Sequence, residues 1–189
     1  MTQPPLQHPL VLAAMADARR WCTGHLIEER PAFRHTVAVA RTVLEHGGTS
    51  PELLAAALMH DAPDLAPGDL DLPAYLATAY GPVTNRLVTA LHQEHVALNE
   101  PDPTVDVSDP ELVLLSTADK VVAFRGNLSR ADLTGDRPAY FGAKTAMVRL
   151  LPYFHEFQRA GVGLVPAALS TALADSLLQV DAAIAERLP

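Results

Sequence analysis

The chain has 189 residues, 49% of them apolar, and carries 14 basic against 22 acidic side chains for a net charge of −8. That length and apolar content suit one ordinary domain with a real core and exclude a disordered chain. The acidic balance excludes a general nucleic-acid binder, whose phosphate contacts need a surplus of Lys and Arg, but leaves room for a small anionic substrate held by local positive charge or a metal.

The first twenty residues have no basic stretch and too short an apolar run for a signal peptide. Cys22 is the one cysteine, so no internal disulfide forms. The longest uncharged stretch, Ala160 to Ala174, is broken by Gly161, Gly163 and Pro166 and is no membrane span. A soluble, cytoplasmic protein with no membrane or nucleic-acid partner is expected.

The apolar spacing is helical almost throughout. In "HTVAVARTVLEHGG", Val39 and Val43 follow His35 at i+4 and i+8, and Gly47-Gly48 is a helix stop. "TSPELLAAALMHD" opens with Ser50 as N-cap and Pro51 at the first helical position. A short helix fits Asp71–Tyr80 and a longer one Gly81–His95, with Val83, Leu87 and Leu91 on one stripe. The Pro- and Asp-rich "LNEPDPTVDVSDP" is a surface connection. "SDPELVLLSTADKVVAFRGNL" starts the next helix, with Ser108 and Glu111 at capping-box spacing or Asp109-Pro110 as cap and first residue. Two further helices fit 139–159 and 166–187. With no alternating strand runs and no hairpin signals, the expected fold is all-α.

Helical spacing also singles out polar residues. At 3.6 residues per turn, Leu53, Ala57 and His60 share a face, and Leu54, Leu58 and Asp61 share the adjacent one. Asp119 sits on the stripe of Leu112, Leu115 and Val122, where an unpaired carboxylate is costly. His35 begins the stripe of Val39 and Val43. Three helices thus aim two imidazoles and two carboxylates inward. That N/O set suits Mn, Fe, Co, Ni or Zn better than Mg or Ca.

His35, His60-Asp61 and Asp119 in "STADK" resemble the H…HD…D signature of the HD phosphohydrolase superfamily. Four blocks are similar to the alarmone hydrolases of the RelA/SpoT type and their small stand-alone relatives: "RHTVAVA", "AALMHD", "YGPVTNRLV" and "STADKVV". Their order and spacing hold from about Leu12 to Leu150. The resemblance implies one HD-type domain over 1–189, a helical bundle with a metal site in its centre. Its core would lie over about 12–150, with C-terminal helices 151–189 packed on it. It further implies removal of the 3′-pyrophosphate from a guanosine 3′,5′-bis(diphosphate), using one divalent ion, Mn²⁺ first, on His35, His60, Asp61 and Asp119.

The chain departs from that pattern at several positions. The family's HDxxED reads His60-Asp61-Ala62-Pro63-Asp64-Leu65 here, and Ala123 stands where the family has Asn. Asp64 takes the Glu slot and is expected to orient or deprotonate the attacking water. Lys120 and Tyr140 match the family, and with Arg20 and Arg34 they are expected to contact the small, nucleotide-like phosphorylated substrate. His92 and His95 share a face. Their expected setting is an exposed helix C-terminus, where imidazole is favourable against the dipole. The alternative is a two-metal HD oxygenase or phosphodiesterase using His92 or His95; a third reading is a non-catalytic nucleotide-binding module.

Overall fold

A one-turn 3₁₀ helix (Pro5–Gln7) leads into α1 (Pro9–Cys22), followed by a hairpin of β1 (Leu26–Ile27) and β2 (Arg30–Pro31), and α2 (Ala32–Glu45). The structure is a computed structural model that describes residues 4–27 and 29–186. In the hairpin Leu26 pairs with Pro31 and Ile27 with Arg30, antiparallel. Strands of two residues carry no readable alternation, which is why sequence periodicity misses them. The turn holds Glu29 at φ 66°, a left-handed conformation that costs a non-glycine residue about 1–2 kcal/mol.

Gly47 and Gly48 end α2 as expected. Gly47 takes φ 88°, and a Cβ on Gly48 would lie 2.4 Å from Val43 Cγ1 and 3.0 Å from Leu53 Cδ2. The chain therefore turns back tightly into α3 (Pro51–Met59). Ser50 caps α3 by accepting a hydrogen bond from the Leu53 amide at 3.2 Å, with Pro51 in the first turn. Every residue from Leu53 to Met59 is buried, so α3 is a central helix enclosed on all sides.

The single turn α4 (Ala62–Leu65) follows, then α5 (Leu72–Tyr80), α6 (Pro82–Ala97) and the long α7 (Pro110–Thr134). Of the two caps the sequence offers for α7, the structure uses Asp109, whose Oδ1 accepts from the Glu111 and Leu112 amides at 3.1 and 3.4 Å. The helix expected over 139–159 is three pieces: α8 (Arg137–Ala143), α9 (Thr145–Arg149) and α10 (Leu151–Ala160). Pro152 accounts for the second break, because proline fits a first turn and disrupts a helix interior. Last comes α11 (Ala167–Ala185), close to its expected bounds.

Among the described residues the fold is all-α apart from the hairpin. One apolar cluster joins α1, α2, α3, α5 and α6, and a second joins α8, α10 and α11. Helix α7 serves both, with Leu115 and Ala118 in the first and Val121, Phe124 and Leu128 in the second. Helix α11 is long and apolar enough to cross a membrane, at mean hydropathy 1.2. Its Leu169, Leu173, Leu177 and Val180 are instead buried in the second cluster, as in a core helix.

The α2–α3 turn sets the distance between the helices that carry His35 and His60. Gly48→Ala drives a methyl group into Val43 and Leu53 and is expected to cost about 1–3 kcal/mol, as overpacking does. A urea denaturation midpoint equal to the parent's would contradict this close packing.

Candidate metal centre

Helix α3 ends at Met59, which makes His60 its C-cap. His60 is 1% exposed, and its Nδ1 lies 2.8 Å from the Ala57 carbonyl, one of the carbonyls a helix end leaves without an intrahelical partner. A carbonyl only accepts, so Nδ1 carries the proton and the Nε2 lone pair faces inward. There it meets His35 Nε2 at 3.2 Å, from the first turn of α2. Asp61 Oδ2 lies 3.3 Å from His60 Nε2 yet is buried without a hydrogen-bond partner. The ligating atoms of His35, His60 and Asp61 all fall within 4.8 Å of one another.

Asp119, on α7, closes the group. Its Oδ1 is 2.9 Å from His35 Nε2 and 3.6 Å from His60 Nε2. A proton on His35 satisfies one of these contacts, whereas a divalent cation satisfies all of them. The orphaned Asp61 oxygen and the inward lone pair of His60 therefore fit a metal ion, and the mixed N/O donors suit a transition metal. Of the four residues read from the sequence, His35, His60 and Asp61 form the close group, and Asp119 joins it through His35 and His60.

Sequence reasoning missed what holds Asp119 from its other side. His95 Nε2 lies 3.2 Å from Asp119 Oδ2. His95 is half-buried against α7 instead of standing at an exposed helix end. The signal was present, since His95 continues the stripe of Leu87 and Leu91 at the same i+4 spacing that singled out His35. Burial alone would raise the Asp119 carboxyl, but hydrogen bonds with His35 and His95 outweigh it and hold it well below the usual range. Burial disfavours the charged form of His95, and the bond to Asp119 reverses that and raises it.

No protein-family model matches the chain, and no curated protein matches it significantly. The site therefore rests on its own geometry.

Other residues expected at the site are placed variously. Lys120 is buried, with Nζ donating to Glu94 Oε1 and to Ser116 Oγ at 2.6 Å, 4.4 Å from the centre of the Phe157 ring. Its charge is thus matched by Glu94, a second residue the sequence did not single out, which also accepts from Tyr153 at 3.1 Å. Tyr140 donates to Asn127 Oδ1 and accepts from Arg130 Nε, both at 2.9 Å. Arg34 is exposed and lines a cavity with His35. Arg20 is exposed and pairs with Asp17 at 2.8 Å. Asp64 is exposed on α4, and His92 makes no hydrogen bond or ion pair among the described residues.

The Glu94–Lys120 pair supplies a pH test. Burial raises the Glu94 carboxyl, but the Lys120 charge and hydrogen bond lower it below its ordinary 4.5. A depressed carboxyl stabilises the fold above its ordinary value, and that stability is lost as pH falls through the folded value. Glu94→Gln is expected to cost about 3–5 kcal/mol at neutral pH by stranding a buried ammonium. It also flattens the acid limb of the stability curve, and adding Lys120→Met recovers much of the loss. Unchanged stability in the single variant would show that the pair carries no such weight.

Proposed function

We propose that the chain is a metal-dependent phosphohydrolase of the HD superfamily, resembling the stand-alone (p)ppGpp hydrolases and acting on a nucleotide-like phosphate or pyrophosphate ester in the cytoplasm. The observation that carries this reading is the meeting of His35 Nε2 and His60 Nε2 at 3.2 Å beside the orphaned Asp61 oxygen and Asp119. His35, His60, Asp61 and Asp119 hold one divalent ion in this account, with Mn²⁺ the preferred species.

Such an ion, when bound, lowers the pKa of a water and polarises a phosphoryl oxygen. The chain's own groups do the rest. The Ala57 carbonyl keeps the His60 lone pair aimed inward, and His95 orients the Asp119 carboxylate. Asp64, one turn beyond the His-Asp pair, orients the water or takes its proton. Arg34 offers its guanidinium to a phosphate. Tyr140 orients Arg130, and Lys120 holds α6 against α7 through Glu94.

A two-ion reading gains one point from the contact of His95 with Asp119, and metal content per chain separates the two. The test strips the protein, reloads it with Mn²⁺, and screens guanosine tetraphosphate against a panel of nucleotides and phosphoesters. The expected result is one ion per chain and release of pyrophosphate or phosphate. Asp119→Asn is expected to abolish metal binding. Asp64→Asn is expected to keep the ion and lose about 10²-fold or more in turnover. Full activity in Asp64→Asn would remove that residue from the mechanism, and two ions per chain would favour the two-ion reading.

A further inference from the structure

Among the described residues, two buried side-chain atoms lack a hydrogen-bond partner: Trp21 Nε1 and Asp61 Oδ2. The indole nitrogen can only donate, and an ionised carboxylate only accepts. Both residues line the same small cavity, closed in by the end of α1, the start of α2 and the turn from α3 into α4. Thr36 and Cys22 are further polar walls, and Leu58, Met59 and Leu65 are among the apolar ones.

An indole N–H left unpaired among apolar side chains is unfavourable. The Trp21 ring is nonetheless well held there. It is 6% exposed, lies 5.6 Å from the Tyr75 ring, and carries the Arg20 guanidinium at 5.7 Å. The ion proposed at the metal centre satisfies the Asp61 oxygen, but a cation cannot accept from an N–H. The indole and the carboxylate do not bond each other, since neither atom has a partner. What suits both is a molecule that accepts from one and donates to the other.

The cavity, about 10 Å³, has room for one water and nothing larger. Thr36 Oγ1 donates to the Phe33 carbonyl at 3.1 Å and keeps lone pairs for a further donor. Trp21, Asp61 and Thr36 thus offer one donor and two acceptors, and a buried water makes about three hydrogen bonds.

We propose that this cavity holds one water molecule that accepts from Trp21 Nε1 and donates to the Asp61 carboxylate, which makes Trp21 a positioning residue for Asp61. The water's second hydrogen goes to Thr36 Oγ1. A carboxylate accepts at several sites, so the water and the ion do not compete for Asp61. Side chains that bind metals are oriented by such outer partners. The positioning role rests on the reading of Asp61 as a metal ligand; the water bridge itself does not.

Trp21 is the one tryptophan in the chain, so a single indole N–H resonance reports on the cavity. In the metal-stripped full chain, labelled with ¹⁵N, that resonance is expected to show a nuclear Overhauser contact with a long-lived water. Asp61→Leu, shown to be folded by circular dichroism, is expected to move the resonance and abolish the contact. Replacing Trp21 with 3-benzothienylalanine keeps both rings and puts sulfur in place of the N–H. This analogue is expected to fold as the parent does and to weaken Mn²⁺ binding, measured by calorimetry, by about tenfold or more.

An indole without a water contact in the stripped parent, or one unmoved in folded Asp61→Leu, would overturn the bridge. If both indole results hold while the parent takes up no Mn²⁺, the bridge stands and the metal reading falls. If the parent binds Mn²⁺ and turns over substrate while the analogue binds Mn²⁺ as tightly, the positioning role falls and the reading of the reaction stands.

Discussion

A carboxylate on a buried face of a long helix must find partners or unfold its surroundings. Asp119 is 7% exposed, and leaving it unpaired there would be expensive. His35 from α2 and His95 from α6 take one oxygen each, so one side chain ties three helices together. The next residue along α7, Lys120, pairs with Glu94, the neighbour of His95 on α6. Two adjacent polar contacts fix the register of α6 on α7, and Asp119 is thereby held against His35 and His60.

Helix ends do as much of the positioning as helix faces. Because α3 stops at Met59, its late carbonyl at Ala57 is available to His60 Nδ1, and that bond settles which ring nitrogen faces the cluster. The same α7 that carries Asp119 links the two apolar cores and separates two cavities at Ala123. Small residues on its site-facing side make room on both flanks of the centre. The flank toward the hairpin carries Arg30, Arg34 and Arg130, and the other mixes Phe124, Met147 and Phe154 with His95, Lys120 and Asn127.

Local chemistry was legible in the sequence wherever one residue type does one job. Ser50-Pro51, Asp71 and Asp109-Pro110 mark helix starts because their side chains satisfy amides within three residues. The inward aim of His35, His60, Asp61 and Asp119 follows from helical spacing against apolar neighbours. The helix over 139–159 was not legible as three pieces, since its apolar spacing continues across the break at Lys144. The partner of Lys120 was not legible either: Glu94 lies 26 residues away, and no local pattern links them. His95 was within reach of the stripe argument, but its place in the last turn of α6 suggested a solvent-facing, dipole-driven setting. The arginine cavity joins residues 30, 34 and 130, a combination that only the packing of the hairpin and α2 against α7 creates.

Anomalous diffraction from a Mn²⁺-loaded crystal tests the central claim most directly. The account predicts one strong peak per chain within bonding distance of His35 Nε2, His60 Nε2, Asp61 and Asp119, with His60 Nδ1 still on the Ala57 carbonyl. A peak elsewhere, or a loaded crystal with the two imidazoles still bonded to each other and no peak between them, would contradict it.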